Sequence, residues 1–245
     1  MSSFAPPGDS LAGTARYVAI ITDGNGRWAR SRQLSISEGH DAGADNLKAR
    51  LRDAIELGVE QLTVYSFSTE NWSRPIEEVR GLITMLARRI SKEAVELHRH
   101  NVRMRFIGRR GRATRELVET MEHAEALTAG NDLITLYVAF DYGGRAEIVD
   151  AARRLRGETE EDFRAGLYAP EMHDPDVIIR TGGERRLSNF LLWQAAYAEL
   201  VFSDELWPDF TRRHLEAALM EFRERQRRYG GRDDLDDAPS RARIS

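Results

Sequence analysis

Cysteine is absent from all 245 residues, which excludes disulfides, thiolate zinc ligands and a cysteine nucleophile together. No apolar run approaches the ~18 residues of a membrane-spanning helix. Residues 1–15 hold Ser, Ala, Pro and Gly without the basic stretch and apolar core of a secretory leader. These absences read as a soluble cytoplasmic protein. Charge of one sign is missing too: 36 Lys+Arg against 40 Asp+Glu leave a formal charge of −4, so nothing draws the chain as a whole to nucleic acid. No internal repeat is visible.

What is present is a 41% hydrophobic chain, long enough to bury one large core. The pattern places a single domain over 16–230, between flexible segments at 1–15 and 231–245. Apolar, β-branched runs recur at Tyr17 to Thr22, Leu62 to Phe67, Val102 to Ile107, Leu133 to Phe140, Val177 to Ile179 and Leu200 to Phe202. Helical patterns fill most gaps. Between Ile76 and His98, Val79, Leu82, Ile83, Leu86, Ile90, Ala94 and Leu97 fall on one stripe, and a second helix fits Ala44 to Leu57 with Gly58 ending it. Strands alternating with helices predict an α/β fold with a mainly parallel sheet, whose ligands bind beyond the carboxyl ends of the strands.

Three post-strand loops carry candidate chemistry. After the first strand, Asp23-Gly24-Asn25-Gly26-Arg27-Trp28-Ala29 offers glycines that let backbone N–H groups approach an anion. Gly24 to Ala29 also matches a G-x-G-x-x-A dinucleotide fingerprint, but no acidic residue ends a second strand about 20 residues on. Asp23 beside a phosphate makes better sense with a cation, because Mg²⁺ binds one or two carboxylates plus substrate phosphate oxygens. A tight turn with an exposed Asp would account for this loop equally well. After the second strand, Ser66-Phe67-Ser68-Thr69-Glu70-Asn71-Trp72-Ser73-Arg74-Pro75 gathers hydroxyls, an amide, an indole and a guanidinium, the last suited to phosphate. As plain structure, Asn71 would be a cap and Trp72 a packing residue. The third loop, Arg180-Thr181-Gly182-Gly183-Glu184-Arg185-Arg186-Leu187-Ser188-Asn189-Phe190, reads as a second phosphate site or a solvated basic face. His40 gains interest from its nearness to the first loop, whereas His98 and His100 do not face each other on a helix and receive no metal role.

These loops, with Tyr142-Gly143-Gly144-Arg145 and Trp207 to Phe210 in the same order, resemble the signatures of cis-prenyltransferases of the undecaprenyl diphosphate synthase family, from about Tyr17 to Gly231. The resemblance implies a Mg²⁺-dependent homodimer with a six-stranded sheet, surrounding helices and an apolar tunnel for the growing chain. It implies that Asp23 holds the metal and the leaving diphosphate, that Glu199 assists the metal or the isopentenyl diphosphate site, and that Gly24, Asn25, Gly26, Arg27, His40 and Arg74 hold an allylic diphosphate such as farnesyl diphosphate. Trp28 and Trp72 would pack near the allylic chain, Ser68 and Asn71 would flank the reacting carbons, and Thr69 and Glu70 would belong to the substrate-binding set. Arg180, Arg186, Leu187 and Ser188 would receive isopentenyl diphosphate, and Arg228-Tyr229-Gly230 would reach a partner subunit. Because a carboxamide is a very poor base, Asn71 is read as orienting a substrate while a diphosphate oxygen takes the proton.

The tunnel wall is expected on the Ile76 to His98 helix at Leu82, Met85, Leu86 and Ile90, where each five-carbon unit buried would favour binding by roughly 3 to 4 kcal/mol. Long products imply release at the inner face of a membrane, with the protein in peripheral contact. Two positions depart from the family pattern: Ile36 replaces an arginine that touches the allylic diphosphate, and Asp141 replaces an asparagine. A short-chain or irregular coupling enzyme, a non-catalytic scaffold and a dinucleotide oxidoreductase are the competing readings.

Overall fold

The computed structural model describes residues 15–225. The segments expected to be flexible, apart from Ala15, and Arg228-Tyr229-Gly230 lie outside the described residues. One sheet of six strands runs in the order β3-β4-β2-β1-β5-β6, with β1 Tyr17–Ile21, β2 Gln61–Ser68, β3 Val102–Ile107, β4 Ile134–Tyr142, β5 Val177–Arg180 and β6 Glu199–Phe202. Every pairing is parallel. The expected strands all form, their ends moved by a residue or two, because strands covered on both faces read as unbroken apolar runs.

Side chains alternate between the faces. Val18, Ile20, Leu62 and Val64 enter one core cluster, packed by α2 Ile36–Glu56, α3 Ile76–Arg99, α4 Arg115–Thr128 and α7 Arg212–Glu224. Ala19, Ile21 and Tyr65 enter a second with Met172, Phe190 and Leu191, on the face that holds α5 Gly144–Arg154 and α6 Glu160–Arg164. The short α1 Asn25–Ser31 lies against α2.

The α2 helix begins at Ile36, well before the Ala44 expected from periodicity. Its start is fixed by a capping box, in which Glu38 N donates to Ser35 Oγ at 3.2 Å and Ser35 N to Glu38 Oε2 at 2.8 Å. Gly39 and Gly43 depress helix propensity and hide that turn from a periodicity reading. Both are there for close approach: a Cβ on Gly39 would lie 2.4 Å from the Asn25 carbonyl oxygen, and one on Gly43 would lie 2.3 Å from Asn25 Oδ1.

The α2–α3 seam is held by charges. Lys48 pairs with Glu93 at 2.9 Å and with Glu96, Arg52 reaches Glu96 at 3.3 Å, and Arg89 reaches Asp41 at 2.9 Å and Asp45 at 2.5 Å. Between these helices and the sheet lies a cavity lined by residues of α2, α3, β2, β3 and β4. The chain moves from β1 to β2 on one side and returns to β5 on the other, so the crevice between the ends of β1 and β5 is a topological switch point, where ligands of open parallel sheets bind.

Candidate active site

Asp23 stands two residues beyond β1, at that switch point. Its Oδ1 pairs with Arg27 at 3.1 Å and its Oδ2 with Arg180 at 2.9 Å. Arg180, the last residue of β5, is buried and also donates to Ser188 Oγ and to the Arg186 carbonyl, each at 2.6 Å. Arg27 reaches across to the Gly182 carbonyl at 2.7 Å. That approach needs a residue without a side chain: Gly182 sits at φ +84°, and a Cβ there would be 2.5 Å from Arg27 Nη2. The first and third loops are thus locked together. Thr181 Oγ1 donates to the Asp23 carbonyl at 2.7 Å and Trp207 N donates to it at 2.9 Å, fixing the turn.

The third wall comes from the turn after β2. Ser68 N donates to Asn71 Oδ1 at 3.0 Å, and Arg74 pairs with Glu78, one turn into α3, at 3.0 Å. Together these segments form a polar cup lined by Asp23, Gly24, Asn25, Gly26, Arg27, His40, Ser68, Asn71, Arg74 and Arg180, with Thr22, Arg30, Ile36, Tyr65, Ser66 and Glu78 beside them. Arg27, Arg30, Arg74 and Arg180 face Asp23 and Glu78 there, a surplus of fork-shaped donors that suits a polyanion.

The cup opens into the α2–α3 cavity. Thr22, Asn25, His40, Ser66 and Leu82 line both, so the polar cup runs into a mainly apolar cavity whose helix wall also carries Lys48, Arg89 and Glu93. All four side chains expected in the tunnel wall, Leu82, Met85, Leu86 and Ile90, line the cavity, opposed by Val64, Met104, Leu136 and Val138 of the sheet. Asn25 Oδ1 at this junction is buried without a hydrogen-bond partner.

Burial and the nearby Arg74 charge hold His40 below the ordinary histidine pKa. The imidazole is therefore neutral at pH 7. Since the unfolded chain takes up this proton first on acidification, His40 contributes stability that is complete above about pH 6.5 and is lost as pH falls through its lower folded value. Urea unfolding against pH should show that decline, and His40→Gln should remove part of it; identical pH profiles for the two proteins would contradict this placement.

Other expected site residues lie outside the cup. Trp28 donates from Nε1 to Asp209 Oδ1 at 2.8 Å and stacks under Arg32, 4.4 Å away. Trp72 turns behind its loop to Asp141 Oδ1 at 2.8 Å. Thr69 and Glu70 face a neighbouring depression with Arg109, Arg112 and Asn189, and Glu70 accepts from Asn189 Nδ2 at 2.8 Å. Leu187 packs on the second core cluster. Arg186 is exposed and paired with Glu184, while Ser188 is held by Arg180.

Glu199 is not brought to Asp23. It pairs in register with Val177, which pairs with Val18, whereas Asp23 lies past Ile21. At ~3.3 Å per residue, Glu199 sits roughly 10 Å back from the rim, bound to Arg225 at 2.9 Å. Within one chain, Glu199 and Asp23 therefore do not share a ligand site. Among the described residues no group of three or more His, Asp or Glu side chains gathers as a metal site. A cation here would rely on Asp23 and on ligand oxygens, which is how Mg²⁺ sites at phosphates are built.

Arg30 went unread in the sequence. Its spacing of i+3 from Arg27, on a helix starting at Asn25, was the available signal.

A family model described as a putative undecaprenyl diphosphate synthase matches residues 21–230. Isoprenyl transferase 2 of Bradyrhizobium diazoefficiens is 46% identical over 245 residues, covering 94% of this chain and 97% of the relative. The ditrans,polycis-undecaprenyl-diphosphate synthase ((2E,6E)-farnesyl-diphosphate specific) of Escherichia coli K12 is 44% identical, covering 97% and 98%. The crystal structure of lavandulyl diphosphate synthase from Lavandula x intermedia in complex with dimethylallyl diphosphate superposes with a TM-score of 0.85 at 34% identity, covering 89% of this chain and 99% of that one.

Proposed function

We propose that this chain, which belongs to the family of undecaprenyl-diphosphate-synthase-like cis-prenyltransferases, condenses isopentenyl diphosphate with an allylic diphosphate such as farnesyl diphosphate to build a long polyprenyl diphosphate of undecaprenyl type. The observation that carries this reading is the cup of arginines opening directly into an apolar cavity: one ligand with an anionic head and a greasy tail fills both.

Arg74, Arg27, Arg30 and the Gly24–Gly26 backbone hold the allylic diphosphate, with its chain passing His40 and Ser66 into the cavity. Arg180, with Ser188 beside it and Arg186 at the mouth, receives the second diphosphate. The isopentenyl double bond attacks the allylic carbon as its C–O bond to diphosphate breaks, and a proton leaves the new chain for a diphosphate oxygen. Asn71, whose Oδ1 is already engaged by Ser68 N, orients rather than accepts the proton. Arginines pre-set around the departing diphosphate stabilise the charge that develops on it. The donor set fits one Mg²⁺ held by Asp23 and diphosphate oxygens, and when bound it neutralises part of that same charge. No helix among the described residues is long and apolar enough to cross a membrane, so product delivery to a bilayer would be by peripheral contact, from a homodimer.

The test is a product analysis with labelled isopentenyl diphosphate and a panel of allylic primers, with magnesium or with chelator. A magnesium-dependent ladder ending at undecaprenyl length is expected. A short or branched product would move the assignment to a short-chain or irregular coupling enzyme, with apolar Ile36 in the cup as the first residue to examine. No elongation from any primer would overturn it.

A further inference from the structure

We infer that Asp141 is a positioning residue that pins the substrate-contacting turn after β2 through Trp72 and Arg112; its catalytic consequence rests on the function proposed above. Asp141 is fully buried near the end of β4, at φ +45°. Its Oδ1 accepts from Trp72 Nε1 at 2.8 Å and from Arg112 Nη2, and its Oδ2 accepts from Arg112 Nε at 3.1 Å. The guanidinium of Arg112 lies 5.0 Å from the Trp72 ring centroid, and the same indole meets Phe67 edge-on at 5.1 Å. One carboxylate thus gathers donors from two loops at adjacent strand ends.

The turn it holds is a 3₁₀ segment, Thr69–Ser73, whose internal hydrogen bonds are of poor geometry. That segment carries Asn71 and leads into Arg74, both in the cup. The anchor therefore lies on the opposite side from the chemistry. Where the family pattern has an asparagine, the donors as arranged in this chain match a carboxylate: both oxygens accept, and in either orientation an asparagine would turn its N–H₂ toward an existing donor. Arg112, 46% exposed at its side chain, is the partner free to swing away, leaving Trp72 held by one neutral bond.

The test uses the full chain with Asp141→Asn, Arg112→Gln and the double substitution, measuring kinetics for both substrates together with hydrogen exchange of the Trp72 indole N–H, identified by its loss in Trp72→Phe. In Asp141→Asn the protein should stay folded with its thermal midpoint lowered by several degrees, the indole N–H should exchange faster, and kcat/KM for farnesyl diphosphate should fall about ten- to a hundredfold. KM for isopentenyl diphosphate should stay within about twofold. The double variant should be no worse than the worse single one, as expected for groups acting as a unit. Unchanged protection of the indole in both single variants would overturn the pin, whatever the activity. Faster exchange with equal losses for both substrates would overturn its specific link to the allylic side. If the unaltered protein elongates no primer, the proposed function fails, while the exchange measurement still decides the pin.

Discussion

Asp23→Ala is expected to lower turnover by about a thousandfold or more while leaving the fold in place. The two effects separate because of where Asp23 sits. Its side chain is 29% exposed, and Arg180, deprived of it, keeps Ser188 Oγ and the Arg186 carbonyl. The hydrogen bond from Arg180, about 1.5–3 kcal/mol, and the half-exposed ion pair with Arg27, about 0–1 kcal/mol, are lost, against a total stability on the order of 5–15 kcal/mol. In the proposed reaction, by contrast, this carboxylate would be the protein's own anionic ligand for the cation that faces the leaving diphosphate. Removing a single pre-set electrostatic group of this kind costs about two to three decades in rate, and losing the metal adds to that. Asp23→Asn, which keeps an acceptor for one arginine but no charge, should be nearly as inactive. The check is incorporation of labelled isopentenyl diphosphate at saturating magnesium, alongside thermal unfolding. A folded Asp23→Ala protein with near-normal turnover would remove the metal assignment.

Gly39→Ala should impair both stability and activity, although alanine is the better helix former by about 1 kcal/mol. The new Cβ would lie 2.4 Å from the Asn25 carbonyl oxygen and 2.9 Å from Ala29 Cβ. The first obstacle is backbone, so α1 must move away from α2, and overpacking of this sort costs about 1–3 kcal/mol. The helix being moved carries Asn25, Gly26, Arg27 and Arg30. A displacement near 1 Å at such groups is worth on the order of a hundredfold in rate. Gly81→Ala supplies the control: it is also helical, nothing lies within 4 Å of its added Cβ, and it should stabilise by up to about 1 kcal/mol. Denaturant unfolding and steady-state kinetics on both variants test the contrast, and equal behaviour of the two would refute it.

The parallel sheet was legible in the sequence because buried strands must be apolar throughout, and the cup was legible because function in such folds follows the strand ends. What stayed hidden depends on distances between segments. The register that sets Glu199 back from the rim follows from β5 and β6 pairing, which composition does not encode. Trp28 and Trp72 read as substrate walls because an indole beside a phosphate loop has two uses, and only its direction distinguishes them. Asp141 read only as a departure from the family pattern, since its partners Trp72 and Arg112 are 69 and 29 residues away. Helix α2 begins early for a local reason, the Ser35–Glu38 box, ahead of Gly39 and Gly43, which break the apolar periodicity of its first turns.

The charged seam between α2 and α3 gives the cavity two unlike walls. The sheet side is bound by ladder hydrogen bonds and close packing, which dissolved ions leave largely untouched. The helix side is bound by Lys48, Arg52, Arg89 and their carboxylate partners, mostly at partial exposure, where added electrolyte screens attraction. Ionic strength therefore acts as a dial on one wall alone: the compartment for the hydrocarbon tail is compliant along α2 and α3 and stiff along β2, β3 and β4.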